Sequence, residues 1–275
     1  MTTVTADQVV ADTMEAARAV FGSEIEAVYT LGSLAHGGFA PLVSDVDVAI
    51  VLTETDAETA SRISAVQALV LDRASSPLSD RLSIFWGDWG AVRTGKGDHF
   101  RLGPVDRLDL LEWGQLVEGA DLREPSVQPT DSDLVLMCAD FMLAKFTARY
   151  LEDLIATEAL VASGPRALTK AVLFPVRFMY TLGAGGIGLN ERSARWYADE
   201  ELPGAALAVK ALEWRSEGID DADVAVQMLD AELGILHAEC LSEYAKHLEG
   251  LGETTRAAVL AERAGHIQVA VPDGH

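Results

Sequence analysis

Residues 31–52 have the sequence LGSLAHGGFAPLVSDVDVAIVL, and this stretch decides the fold. An alternating apolar run predicts a strand that ends at Gly32 and Ser33, where a turn and a short helix begin. A second apolar run predicts another strand, which starts at Asp45 and Asp47. Because side chains alternate along a strand, these two carboxylates are expected on the same face.

This arrangement favours a site for a divalent cation and a phosphate. Two neighbouring carboxylates repel each other unless a cation lies between them, and Mg²⁺ prefers oxygen ligands of this kind. The Gly-Ser turn offers backbone N–H groups and the Ser33 hydroxyl to a phosphate, and a Cβ at Gly32 would block a close approach. The alternative is a hairpin in which Asp45 caps a turn and Asp47 lies on a solvated strand face. Each half of the pattern fits that alternative, whereas the combination favours the cation site.

Outside this stretch, the periodicity predicts two domains. Residues 1–125 have a mixed α/β pattern, with helices at residues 6–22, 55–71 and 106–118 and strands at residues 24–31, 46–52 and 82–86. Residues 131–265 have a helical pattern, with helices at residues 133–163, 167–182, 190–201, 203–217 and 221–247. The polar stretch between the two domains is typical of a linker. Cys138 and Cys240 lie in apolar helical stretches, which predicts buried free thiols.

The charge balance excludes several classes of protein. The chain has 21 Lys and Arg residues against 43 Asp and Glu residues, a formal net charge of −22. Nucleic-acid binders need a basic surface, so we expect no nucleic-acid partner and no template-dependent polymerase. The acidic field attracts cationic substrates, although acidic charge also serves solubility alone. No apolar run approaches the roughly 20 residues that span a bilayer, and no secretory signal is visible, which predicts a cytoplasmic protein without a membrane partner.

The Gly32-Ser33 turn followed by Asp45 and Asp47 resembles the signature of the nucleotidyltransferase superfamily, which has the polymerase-β-like fold. Within this superfamily the chain is similar to the aminoglycoside adenylyltransferases of the streptomycin/spectinomycin type. The resemblance implies an α/β N-terminal nucleotidyltransferase domain, with a small mixed sheet and flanking helices, and an all-α C-terminal helical bundle.

Two further segments carry the resemblance. Residues 106–121 (DRLDLLEWGQLVEGAD) resemble the helix that closes the first domain, and residues 173–203 resemble a helix, glycine turn and helix of the second domain. The resemblance implies transfer of AMP from ATP to a hydroxyl group of a small acceptor, with Mg²⁺ as cofactor and pyrophosphate as product. The implied site residues are Asp45 and Asp47 for Mg²⁺ and catalysis, Gly32, Ser33, Ser44 and Lys210 for the nucleotide, and Glu191 and Trp113 for the acceptor.

On the residues alone, three of these also fit ordinary roles. Glu191 fits an acid in the first turn of a helix, Lys210 a solvated lysine, and Trp113 a core aromatic. The chain also departs from the superfamily pattern, because Ser83 stands where a third carboxylate is expected on the next strand. Asp88, just beyond that strand, is the nearest acid and either replaces the missing carboxylate or serves as a turn residue. A catalytically reduced nucleotide-binding or regulatory protein, and a protein adenylyltransferase, therefore stay open as alternatives.

Overall fold

The computed structural model describes residues 6–73 and 76–270, and the chain divides into two units between Thr130 and Asp131. The elements of the first unit are α1 (Ala6–Phe21), β1 (Ile25–Leu31), α2 (Gly32–Ala35), β2 (Val46–Leu52), α3 (Thr59–Arg73), β3 (Leu82–Asp88), α4 (Trp89–Thr94), α5 (Pro104–Glu112) and β4 (Gln115–Gly119). Both strands that flank the Gly-Ser turn are therefore present, within one residue of their predicted bounds.

Within the described residues, the strands form one mixed sheet in the order β3-β2-β1-β4. β2 and β3 are parallel, and the other two pairs are antiparallel. Leu31 at the end of β1 pairs with Asp47, and Asp47 in turn pairs with Ser83. On the other side of β1, Thr30 pairs with Gln115. The end of β1 and the starts of the three other strands consequently share one edge of the sheet.

The two faces of this sheet pack against different helices. The even-numbered residues of β2 pack with α1 and α3, and they are Val46, Val48, Ile50 and Leu52. Ala49 and Val51 face the opposite way and share a core with Leu110 of α5. Asp47 has the same parity as these two residues, and Asp45 precedes it by two positions. The pair therefore lies on the α5 side of the sheet, half-buried, as the alternation predicts.

One predicted helix is wrong in its second half. Residues 106–118 were expected to be helical, but α5 ends at Glu112 and β4 begins at Gln115. A Cβ at Gly114 would lie 2.5 Å from the carbonyl oxygen of Leu110, so the chain turns at a position that excludes any larger residue. The strand that follows is short and exposed, and it forms because the free edge of β1 provides hydrogen-bond partners.

A polar cluster anchors the segment after β4 to the sheet. The Tyr29 hydroxyl donates to Asp121 Oδ1 at 3.0 Å, and Arg123 donates to the two Asp121 oxygens at 2.8 and 2.6 Å. Arg123 also donates to the carbonyl oxygens of Leu110 and Gly114, at 2.6 and 3.0 Å. The hydrogen bond from Arg123, with a smaller contribution from Tyr29, lowers the pKa of Asp121 to about 2.

We expect the Asp121→Asn variant to lose about 1 kcal/mol or less of unfolding free energy at neutral pH. The effect is small because 40% of the Asp121 side chain is exposed and water screens the ion pair. The folded-state pKa of about 2 lies below the ordinary 3.8, so this stabilisation is complete above about pH 4 and is lost as the pH falls towards 2. Urea unfolding across this range should show the wild type and the variant converging in acid, and a constant difference would contradict the assignment.

The second unit is helical throughout its described residues. Its elements are α6 (Asp131–Lys145), α7 (Ala148–Ile155), α8 (Thr157–Ala162), α9 (Pro165–Ala184), α10 (Asn190–Asp199), α11 (Ala205–Glu217), α12 (Ala222–Gly250) and α13 (Thr254–Ala270). The single helix predicted at residues 133–163 is divided into three, because Thr147 caps a new helix by accepting a hydrogen bond from the Tyr150 amide at 3.3 Å.

Two remaining predictions concern the thiols and the membrane. Cys138 and Cys240 are both buried and free, which confirms the prediction from the cysteine pattern. Of the helices in the described part of the chain, none has both the length and the apolar character that a bilayer crossing requires.

Candidate functional site

The Gly-Ser turn contacts the start of β2 directly. Gly32 has a φ of +60°, a left-handed conformation that favours glycine. A Cβ built on Gly32 would overlap the Asp47 carboxylate and would lie 3.3 Å from its Cγ atom. The missing side chain therefore leaves space beside a carboxylate oxygen, and this space is available to a bound group.

Hydrogen bonds between two serines join the two ends of the motif. The Ser33 hydroxyl lies 3.1 Å from the Ser44 hydroxyl, and Ser44 Oγ also accepts a hydrogen bond from the Ala40 amide at 3.0 Å. Ser44 is buried, whereas Ser33 is partly exposed. Of the two, Ser33 is therefore the one whose hydroxyl faces solvent, and Ser44 holds the connecting loop in place.

A third aspartate contacts the turn, and the sequence analysis did not identify it. Asp109, on α5, is 9% exposed, and its Oδ2 accepts a hydrogen bond from the Gly32 amide at 2.6 Å. Asp47 and Asp109 therefore both approach Gly32, which concentrates negative charge at this edge of the sheet. The sequence did contain a signal, since Asp109 is a charged residue between Leu108 and Leu110 in a segment expected to be a helix. Such residues are seldom buried without a specific partner.

Trp113 lies at the same edge of the sheet, just beyond the end of α5. Its ring is half-buried and meets the His36 ring edge to face, with centroids 6.3 Å apart and an interplanar angle of 81°. The Gln115 side chain donates to the carbonyl oxygen of Ala35 at the end of α2. The structure therefore brings Trp113 beside the loop that follows the Gly-Ser turn.

Asp88 does not reach this edge. In the parallel β2–β3 pair Asp47 is opposite Ser83, and Asp88 is opposite Leu52, five residues further along the sheet. At about 3.3 Å per residue, Asp88 lies about 16 Å from the motif. Its Oδ1 accepts a hydrogen bond from the Ala91 amide at 2.8 Å, which caps α4. The structure corrects the expectation that Asp88 reaches the site from a loop, because β3 continues through Asp88 and carries it away.

Glu191 and Lys210 belong to the second unit. Glu191 lies in the first turn of α10, as predicted, and forms an exposed ion pair with Arg195. Lys210, on α11, contacts Glu213 Oε2 at 2.6 Å and Asp220 Oδ1 at 3.9 Å. The hydrogen bond to Glu213 raises the pKa of Lys210 above its ordinary value, so the side chain is a cation.

The residues at the sheet edge fit a hard divalent cation in part. Carboxylate oxygens are the donors that Mg²⁺ prefers, and the missing Cβ of Gly32 leaves room beside Asp47. Residues 6–73 and 76–270 contain no group of three or more carboxylate, imidazole or thiol side chains arranged to hold a metal ion. Mg²⁺ at Asp45 and Asp47 would consequently take its other ligands from water and substrate, which is how this ion is usually bound.

A small mixed sheet with a Gly-Ser turn and two aspartates at one edge, followed by a helical unit, is compatible with a nucleotidyltransferase-like α/β domain and a helical part. Among solved structures, the chain is similar to spectinomycin adenyltransferase AAD(9) from Enterococcus faecialis, crystallised with ATP and spectinomycin. The TM-score is 0.51, the sequence identity is 15%, and the match covers 81% of this chain and 96% of that chain. This finding confirms the resemblance to the adenylyltransferases at the level of the fold. No protein-family model matches the chain, and no curated protein sequence matches it either.

Proposed function

We propose that this protein is a Mg²⁺-dependent nucleotidyltransferase that transfers AMP from ATP to a hydroxyl group of a small cationic acceptor, with release of pyrophosphate. The observation that carries the proposal is the contact between the side-chain-free Gly32 and the Asp47 carboxylate at the sheet edge. The similar structure was crystallised with ATP and spectinomycin, which supports ATP as co-substrate and an aminoglycoside-type acceptor. The net charge of −22 favours a cationic acceptor.

Each residue at the sheet edge has a role in this proposal. Asp45 and Asp47 hold Mg²⁺, which, when bound, neutralises charge on the triphosphate and stabilises the leaving pyrophosphate. Ser33 donates its hydroxyl hydrogen to a phosphate oxygen, and Gly32 allows the phosphate to approach closely. Asp109 keeps the turn in this conformation by accepting from the Gly32 amide. Trp113 provides an apolar surface for the acceptor.

The second unit contributes the remaining proposed residues. Glu191 binds a cationic group of the acceptor, in exchange for its exposed ion pair with Arg195. Lys210 binds the triphosphate, and for this its ammonium group leaves the Glu213 carboxylate. A cytoplasmic location and a role in antibiotic resistance follow from this proposal.

Two measurements test the function. Calorimetry should show ATP binding that requires Mg²⁺ and that is lost in the Asp45→Asn/Asp47→Asn double variant. A pyrophosphate-release assay with a panel of aminoglycosides should then identify an acceptor. If the wild type binds no ATP, even with aminoglycosides present, the proposal is wrong.

A second candidate is a nucleotide-binding protein with little or no transferase activity. It is favoured by Ser83, which lies opposite Asp47 in the β2–β3 register, where a third carboxylate would otherwise stand. This candidate predicts Mg²⁺-dependent ATP binding without pyrophosphate release for any small-molecule or protein acceptor. Turnover that Asp47→Asn abolishes would exclude it. Transfer of label from ATP to a protein in a lysate would instead indicate a protein adenylyltransferase.

Asp88→Asn is expected to leave Mg²⁺-dependent ATP binding and turnover within about twofold of the wild type. Asparagine caps a helix about as well as aspartate, so α4 keeps its cap and the free energy of unfolding changes by only a few tenths of a kcal/mol. Asp88→Ala should lose about 1 kcal/mol of stability and still keep the activity. If Asp88→Asn is as inactive as a change at Asp47, then Asp88 belongs to the site.

A further inference from the structure

A cavity of about 340 Å³ lies inside the helical unit, away from every residue used in the proposed function. It is formed by α7, α8, α12 and α13. Most of its wall is apolar and consists of Leu151, Leu154, Ile155, Leu229, Leu233 and Ile267. Its volume is within the range of small-molecule pockets, which begins at about 300 Å³. Gly234 also lines the cavity, and its lack of a side chain contributes to the open space.

The wall also contains a fully buried histidine. His237 Nε2 lies 2.8 Å from the carbonyl oxygen of Ala171, and its ring packs against Phe146 with centroids 5.0 Å apart. A carbonyl oxygen only accepts hydrogen bonds, so Nε2 carries the hydrogen and Nδ1 is left as an acceptor. Within the described part of the chain, this buried Nδ1 has no hydrogen-bond partner. Buried polar atoms are nearly always paired, so an unpaired acceptor in a cavity wall indicates a missing donor.

The protonation state of His237 keeps this acceptor available. Burial lowers the pKa of His237 to about 4, so the ring is neutral at neutral pH and Nδ1 retains its lone pair. The ligand must therefore provide an O–H or N–H group.

The rim of the cavity indicates the charge of the ligand. Asp230 lines the cavity and is exposed, and its Oδ1 accepts a hydrogen bond from the Thr157 hydroxyl at 2.6 Å. A carboxylate at the rim of a strongly acidic protein repels anions, which disfavours fatty acids and other carboxylates. The apolar wall disfavours an ion of either sign in the interior.

We propose that this cavity binds a neutral small molecule that has an apolar body and one hydroxyl group, and that the hydroxyl donates its hydrogen bond to Nδ1 of His237. The apolar body fills the space between α7 and α12, opposite Gly234. This site is independent of the nucleotidyltransferase proposal, since none of its residues takes part in that function.

The first test compares two probes of similar size on the full chain. p-Cresol has a hydroxyl group and toluene does not. We expect p-cresol to bind about tenfold more tightly, the effect of one hydrogen bond, although toluene is the more apolar molecule. In protein labelled with ¹⁵N-histidine, p-cresol should shift the Nδ1 resonance of His237 and toluene should leave it unchanged. Toluene binding at least as tightly as p-cresol, or an Nδ1 resonance that p-cresol does not move, would overturn the proposal.

Variants then locate the binding. Gly234→Leu should fill the cavity and abolish binding of both probes, and Leu154→Trp should do the same from the α7 side. Ile235→Ala is the matched control, because Ile235 follows Gly234 on α12 and its side chain is 47% exposed. It should bind both probes like the wild type. His237→Phe should lose only the tenfold preference for p-cresol, and it also assigns the Nδ1 resonance. If both filling variants fold, by circular dichroism, and still bind p-cresol normally, the cavity is not the site.

Discussion

Replacing Asp47 by asparagine is expected to lower the rate of pyrophosphate release about 1000-fold while leaving the fold intact. Asp47 is half-buried at the edge of the sheet, between Leu31 on β1 and Ser83 on β3. An amide in place of the carboxylate removes one negative charge from the proposed Mg²⁺ site but keeps the shape of the side chain. Charge stabilisation in a preorganised site of this kind contributes on the order of 100-fold to 1000-fold per group.

Ser83 makes the expected loss at Asp47 larger rather than smaller. The strand beside Asp47 provides a hydroxyl group and no carboxylate, so no neighbouring residue on β3 takes over the charge. Asp45 alone is then left of the proposed pair. The measurement is steady-state turnover with saturating Mg²⁺ and ATP, together with thermal unfolding to show that the variant is folded. Activity within tenfold of the wild type would place the cation elsewhere.

The second large effect is expected from Gly32→Ala, which should reduce turnover at least about 100-fold. The new Cβ would overlap the Asp47 carboxylate, so either this side chain or the turn must move. A displacement of about 1 Å in a catalytic group is enough to lower a rate by this factor. Alanine also adopts the left-handed backbone conformation of Gly32 at a cost of about 1–2 kcal/mol, so the variant should be less stable as well.

Gly37→Ala separates these two effects. Gly37 has a φ of +81°, which is the same strained region, but a Cβ built there meets nothing within 4 Å. Both variants should therefore lose a similar amount of stability, and only Gly32→Ala should lose activity. Equal losses of activity in the two variants would mean that backbone strain, and not the contact with Asp47, controls the site.

The sequence was sufficient for the part of the site that is local. The end of β1, the Gly-Ser turn and the start of β2 lie within about 20 residues, and each is identified by its own pattern of apolar and polar residues. Alternation along β2 then places Asp45 and Asp47 on one face. The β2–β3 register places Ser83 next to Asp47, where the missing carboxylate was expected.

The parts that were missed depend on contacts between distant segments. Asp109 is separated from Gly32 by 77 positions, and no local pattern reveals that its carboxylate accepts from that amide. β4 forms because β1 has an open edge, although its own sequence fits a helix equally well. Asp88 was assigned to the wrong end of its strand because β3 is two residues longer than its apolar run indicates.

The hydrogen bond between the Gly32 amide and Asp109 has a consequence for solvent exchange. Amides in a surface turn usually exchange their hydrogen with water rapidly, because local opening is frequent. The Gly32 amide is bound at 2.6 Å to a buried carboxylate, so it should exchange much more slowly than the amides of the following loop. The exchange rate of this one amide, measured by NMR, would then report directly on whether the turn is closed, with or without a bound nucleotide.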